Sequence, residues 1–133
     1  MKKILTILCL ILLNCYSTEA ETVFDPISPT VLITGSNRGL GLEFSRQYAA
    51  AGWNVIATCR SPKKAKELQS LTEEYNQVVV EKMDVTNQHE VDLVASTYHG
   101  QPIDVLLNNA GIYGDLEKQT LGTFDFEELK RVF

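Results

Sequence analysis

Thr34-Gly35-Ser36-Asn37-Arg38-Gly39-Leu40-Gly41 follows directly on the apolar run Val31-Leu32-Ile33. This stretch predicts a buried strand that runs into a glycine turn and on into a helix. Gly35, Gly39 and Gly41 permit a tight turn, a close approach of backbone N–H groups to an anion, and packing of helix on sheet with no Cβ between them. The helix that follows directs its positive end at the same spot. Together these features suit a nucleotide pyrophosphate. Glycine-rich turns of this kind also serve packing alone, so the octapeptide by itself leaves both readings open.

Outward from the turn, the chain alternates. Residues 21–29 read as a linker, Thr30 to Ile33 as the first strand, and Leu40, Phe44, Tyr48 and Ala51 as the apolar face of a helix that Gly52 ends. Trp53 to Thr58 reads as a second strand. Ser61-Pro62 then opens a helix, with Ser61 as cap and proline at its first position, and Ala65, Leu68 and Leu71 form the apolar stripe. Val78-Val79-Val80 is a third strand with Asp84-Val85 just past its end. Asn87 and Glu90 form a capping box for a helix whose face is Val91, Val94, Ala95 and Tyr98, closed by Gly100. Ile103 to Leu107 is a fourth strand, leading into Asn108-Asn109-Ala110-Gly111. A loop then reaches Asp125, which caps a last helix with Glu128 three residues on. Such alternation implies right-handed crossovers and an α/β, doubly wound parallel sheet covered on both faces.

The chain's 133 residues suffice for one modest domain. With 44% hydrophobic and 22% charged residues it has the composition of a globular domain, and a net charge of −5 with no basic stripe argues against nucleic acid as a partner. Lys2-Lys3, the apolar run Ile4 to Leu13 and the small residue Ala20 make residues 1–20 read as a secretory signal, which points to export. A start downstream of Met1, leaving the protein in the cytoplasm, is the alternative. Ten apolar residues are too few for a stable membrane span. Removing residues 1–20 would also remove Cys9 and Cys15, leaving Cys59 as the only thiol, so neither a disulfide framework nor a cysteine metal site is expected. His89 and His99 read as surface residues.

In an open parallel sheet, ligands bind beyond the C-terminal ends of the strands. The glycine turn, Cys59-Arg60-Ser61, Asp84-Val85 and Asn108 to Gly111 all fall at that edge. Where a dinucleotide fold that prefers NAD carries an acidic residue after its second strand, this chain has Cys59 and Arg60. A carboxylate there would repel a 2′-phosphate, whereas the guanidinium of Arg60 pairs with it, as Arg38 can from inside the turn. Two arginines in these two loops favour NADP(H) over NAD(H).

At this point the chain resembles the classical short-chain dehydrogenases/reductases. Thr34-Gly35-x-x-x-Gly39-x-Gly41 is similar to their cofactor turn, Asp84-Val85 to their adenine-side dipeptide, and Asn108-Asn109-Ala110-Gly111 to their Asn-Asn-Ala-Gly motif. Gly35 to Gly41, together with Pro102-Ile103-Asp104-Val105-Leu106-Leu107, most resemble the carbonyl-reductase branch that includes the C-factor and Sniffer proteins. The resemblance covers residues 30–133 and implies a Rossmann-type fold of which this chain holds the N-terminal half. It implies cofactor contacts from Gly35, Ser36, Asn37, Arg38, Gly39, Leu40, Gly41, Arg60, Ser61, Asp84, Val85, Asn109, Ala110 and Gly111. Asp84 would bond the adenine amino group, Asn109, Ala110 and Gly111 would line the ribose nearer the nicotinamide, and Asn108 would tie the central strands together.

The same resemblance implies a catalytic Tyr with a Lys four residues later, and a Ser. Beyond Tyr16, Tyr48, Tyr75, Tyr98 and Tyr113 stand Ala20, Gly52, Val79, Pro102 and Glu117 instead. The expectation is therefore the cofactor-binding part of a truncated NADP(H)-dependent reductase, inactive alone, that takes a small carbonyl substrate and associates into oligomers only with its second half. Phe126, Leu129, Val132 and Phe133 would then lack cover, which predicts poor solubility. The alternative is a non-catalytic NAD(P)-binding or regulatory module. A methyltransferase sheet is weakened by the lack of an acidic residue after the second strand.

Overall fold

A computed structural model of the chain describes residues 24–112, 114, 115, 117, 122 and 125–132, without the side chains of Leu129, Arg131 and Val132. Four strands, β1 (Thr30–Ile33), β2 (Asn54–Cys59), β3 (Val78–Lys82) and β4 (Val105–Leu107), alternate with α1 (Gly39–Ala50), α2 (Lys66–Glu74), α3 (Gln88–Thr97) and α4 (Phe126–Val132). All pairings are parallel, as the alternation implies, and the sheet order is β3-β2-β1-β4. From β1 the chain winds outward to β2 and β3, then crosses to β4 on the other side. The C-terminal ends of β1 and β4 thus flank a topological switch point, where such sheets open a crevice.

Val31, Ile33, Val55, Ile56 and Ala57 are completely buried, so the two central strands carry the core. Burying such side chains contributes about 1.5–3 kcal/mol each. Leu68 and Leu71 of α2, with Ala65 just ahead of them, close on this core along the predicted stripe. The strands at the two sides are only partly covered, and Leu106 of β4 is more than half exposed.

The face of α1 differs from the spacing-based reading. Leu40 and Phe44 point away from the core, being 70% and 36% exposed, and the buried residues are Gly41, Leu42, Ser45 and Ala49. Small residues at 41, 45 and 49 let the helix lie close on the sheet, and Ser45 Oγ donates to the Gly41 carbonyl at 2.8 Å, inside the helix groove. Apolar residues at helical spacing marked a face here, but the wrong one. Tyr48 does pack inward, edge-on against Trp53 with ring centroids 4.9 Å apart.

Other boundaries move for local reasons. The second strand begins at Asn54 and extends to Cys59, because Met83 N–H bonds the Cys59 carbonyl at 3.0 Å and prolongs the ladder. Ser61-Pro62 opens only a 3-10 turn, Pro62–Lys64. Ser61 makes no side-chain cap, and the helix starts at Lys66.

Residues 24–29, within the expected linker, are held firmly. The Asn54 side chain, fully buried, donates to the carbonyls of Asp25 (2.8 Å) and Ser28 (3.0 Å) and accepts from Asp25 N–H (3.0 Å). Phe24 stacks on Tyr98 with centroids 6.0 Å apart. The stretch of residues 1–20 read as a signal lies outside the described residues, as do Tyr113 and Phe133; among the described residues no helix is long and apolar enough to cross a membrane.

Candidate functional site

The glycine turn is held from behind. Ser36 is completely buried, and its N–H and hydroxyl are both used within the fold: the N–H bonds the Thr58 carbonyl (2.9 Å) and the hydroxyl donates to the Ile33 carbonyl (2.9 Å). Asn37, Arg38, Gly39 and Leu40 are left exposed in front of it. Gly39 has φ +57°, a conformation costly for any side chain, and a Cβ built on it would meet nothing within 4 Å. Arg38 stands at the N-cap of α1 without a side-chain cap, and the N–H groups of Gly39 and Leu40 have no acceptor among the described residues. Open space over Gly39, orphan amides and a helix N-terminus fit a bound phosphate.

Gly35 and Gly41 serve close approach. A Cβ on Gly35 would lie 2.8 Å from Ala110 Cα, and one on Gly41 would be 2.5 Å from Asn109 Nδ2. The loop after β4 therefore lies directly on the turn after β1. Thr34 joins them: its hydroxyl accepts from Asn109 N–H (3.0 Å) and Ala110 N–H (2.8 Å), while Asn109 Nδ2 donates to the carbonyls of Thr34 (3.0 Å) and Gly35 (3.2 Å). The tie between the central strands belongs to Asn109, not Asn108, whose side chain is exposed and makes no hydrogen bond among the described residues. Thr34 was missed as a site residue. A buried hydroxyl at a strand end, facing consecutive loop amides, is a signal that only tertiary structure displays.

The loops after β2 and β3 complete the edge. Arg60 and Ser61 are exposed, and Val85 is 41% exposed. Asp84 Oδ1 accepts from Thr86 N–H (3.0 Å) and Thr86 Oγ (2.7 Å). These bonds, with Arg60 and Lys82 nearby, hold the Asp84 carboxyl below its usual range, so it is a carboxylate at neutral pH. Cys59 is buried and its thiol is pushed up by that burial.

The predicted capping box is half formed. Asn87 Oδ1 accepts from His89 N–H at 3.1 Å, as an N-cap does, but Glu90 turns to Asp84 instead of Asn87. At the last helix, Asp125 Oδ1 accepts from Glu127 N–H (2.9 Å) as expected, and Glu128 accepts from Asp115 N–H at 2.6 Å.

The described tyrosines, Tyr48, Tyr75 and Tyr98, sit at the C-terminal turns of α1, α2 and α3, the ends remote from the glycine turn. Tyr98 donates to Glu81 at 2.7 Å, and burial followed by that carboxylate raises its pKa well above the ordinary range. It is a poor proton donor for catalysis.

A family model described as short chain dehydrogenase matches residues 29–133. The (−)-isopiperitenone reductase of Mentha piperita is 38% identical over 90 residues, covering 62% of this chain and 29% of its own length. The 3-oxoacyl-acyl-carrier-protein reductase MabA of Mycobacterium tuberculosis is 32% identical over 116 residues, covering 85% of this chain and 43% of its own. Among solved structures, a carbonyl reductase of Pseudomonas aeruginosa in complex with NADP superposes with TM-score 0.66 at 30% identity, over 75% of this chain and 46% of that one. The chain spans less than half the length of each.

Proposed function

Because this chain belongs to the short-chain dehydrogenase family, we propose that it forms the cofactor-binding part of an oxidoreductase that moves hydride between a nicotinamide dinucleotide and a carbonyl or alcohol. The observation that carries this reading is the glycine turn: orphan N–H groups at Gly39 and Leu40, open space over Gly39, and Asn109 locking the turn from behind. The bound cofactor would supply the hydride. This chain's residues supply the cradle: the amides take the pyrophosphate, Asp84 the adenine amino group, and Ala110 and Gly111 the ribose beside the nicotinamide.

NADP(H) is preferred over NAD(H) in this reading. Arg38 and Arg60 are exposed in the loops that follow the neighbouring strands β1 and β2, and the Ser36-to-Thr58 hydrogen bond ties the glycine turn to β2 just ahead of Arg60. Guanidinium groups so placed favour a 2′-phosphate. The relatives from Pseudomonas aeruginosa and Burkholderia multivorans solved with NADP support the same choice. No Tyr in the sequence has Lys four residues later, so the 133-residue chain is proposed to bind the cofactor without reducing carbonyls.

Titration by nicotinamide fluorescence tests both points. NADPH should bind at least tenfold more tightly than NADH, and Arg38→Ala with Arg60→Ala should erase the difference while leaving NADH affinity nearly unchanged. Equal affinities in the native chain would remove the NADP reading. Turnover of aldehydes or ketones by the chain alone would overturn the division of labour.

A further inference from the structure

Asp84 is held at three of its four polar positions. Its N–H donates to Glu90 Oε2 at 2.8 Å, its carbonyl accepts from Asn87 N–H at 2.9 Å, and its Oδ1 accepts twice from Thr86. Only Oδ2 has no partner among the described residues. Glu90 stands in the first turn of α3, six residues along the chain, and its other oxygen, Oε1, pairs with Lys82 Nζ at the end of β3. That pairing matters because a second carboxylate beside Asp84 is repulsive. Lys82 neutralises Glu90 and so lets an acidic side chain serve as backbone acceptor next to another acid. One glutamate therefore fastens the end of β3, the Asp84 loop and the start of α3 to one another.

We propose that Glu90 is a positioning residue for adenine: by accepting the Asp84 N–H it fixes the loop so that Asp84 Oδ2 is presented to the exocyclic amino group. Thr86 sets the rotation of the carboxylate and Glu90 sets the place of its backbone. The inference rests on the assignment of Asp84 to adenine made above. It goes further by giving the base specificity of the site to a residue that does not touch the ligand.

The test compares NADPH with its hypoxanthine analogue, in which the 6-amino donor is replaced by a carbonyl that Asp84 cannot accept from. Affinities for both are measured by nicotinamide fluorescence on the native chain, Glu90→Gln and Glu90→Ala. The native chain should prefer NADPH by about tenfold, the worth of a charge-assisted hydrogen bond. Glu90→Ala should bring the ratio close to one while affinity for the analogue changes little. Glu90→Gln, which keeps an oxygen for Asp84 N–H but turns an NH2 donor towards Lys82, should fall about threefold short of the native ratio. A ratio unchanged in the variants, or equal loss of both ligands, overturns the role of Glu90. No preference in the native chain overturns the Asp84 assignment instead. If Glu90→Ala does not fold, the Glu90→Gln ratio decides alone.

Discussion

A single methyl group at position 41 would press on the Gly35 carbonyl and on Asn109 Nδ2, the atoms that lock the glycine turn to the loop after β4. Gly41→Ala should cost about 1–3 kcal/mol of stability, the usual range for overpacking, and should abolish dinucleotide binding. At position 39 the methyl group would meet open space and pay only for the left-handed backbone, about 1–2 kcal/mol. Gly39→Ala should therefore unfold close to Gly41→Ala in denaturant yet fail differently, keeping the Asn109 contacts and losing only the ligand. Chemical denaturation with parallel fluorescence titration reads both losses, and native-like binding by Gly41→Ala would refute the packing argument. Residues of this kind were legible in the sequence because backbone geometry admits nothing else. Asn109 against Asn108 was not, since two adjacent amides present the same chemistry until the loop's path places one over Thr34.

At the scale of elements, the number of strands and their parallel pairing followed from the alternation of apolar runs with helical spacing. What periodicity did not reveal was orientation. In α1 the bulky Leu40 and Phe44 drew the reading, while the helix is seated by Gly41, Ser45 and Ala49, whose smallness is the point. Polar roles stayed hidden for a related reason: Asn54, at the head of a mostly apolar strand, is the clasp of residues 24–29, and Glu90 serves Asp84 in place of its own helix cap. Asn54→Ala would leave the Ser28 carbonyl and the Asp25 N–H unpaired, and the Asp25 carbonyl with Ser28 N–H alone. The expected cost is about 2–3 kcal/mol, with faster chymotryptic cleavage after Phe24. Unchanged cleavage would show that the stacking of Phe24 on Tyr98 holds the segment unaided.

For the molecule as a whole, the two outer strands differ. β3 ends in Glu81 and Lys82, charges that discourage pairing with another sheet, whereas β4 is Val105-Leu106-Leu107 and pairs only with β1 among the described strands. With Leu106, Ile103 and Ile112 all exposed, the chain should associate as its concentration rises, and Leu106→Lys should suppress this. Light scattering after size exclusion reads it directly; a native chain monomeric at about 100 µM would contradict the expectation. The sheet also has a polarity that the clasp at Asn54 turns to use. Residues 24–29 are fastened where the strands begin, while the glycine turn lies where β1 ends, about 13 Å further along. A bead, sensor surface or carrier protein joined upstream of Phe24 would thus hold the domain by its floor and leave the dinucleotide mouth facing the bath, so immobilised and free protein should report the same affinity.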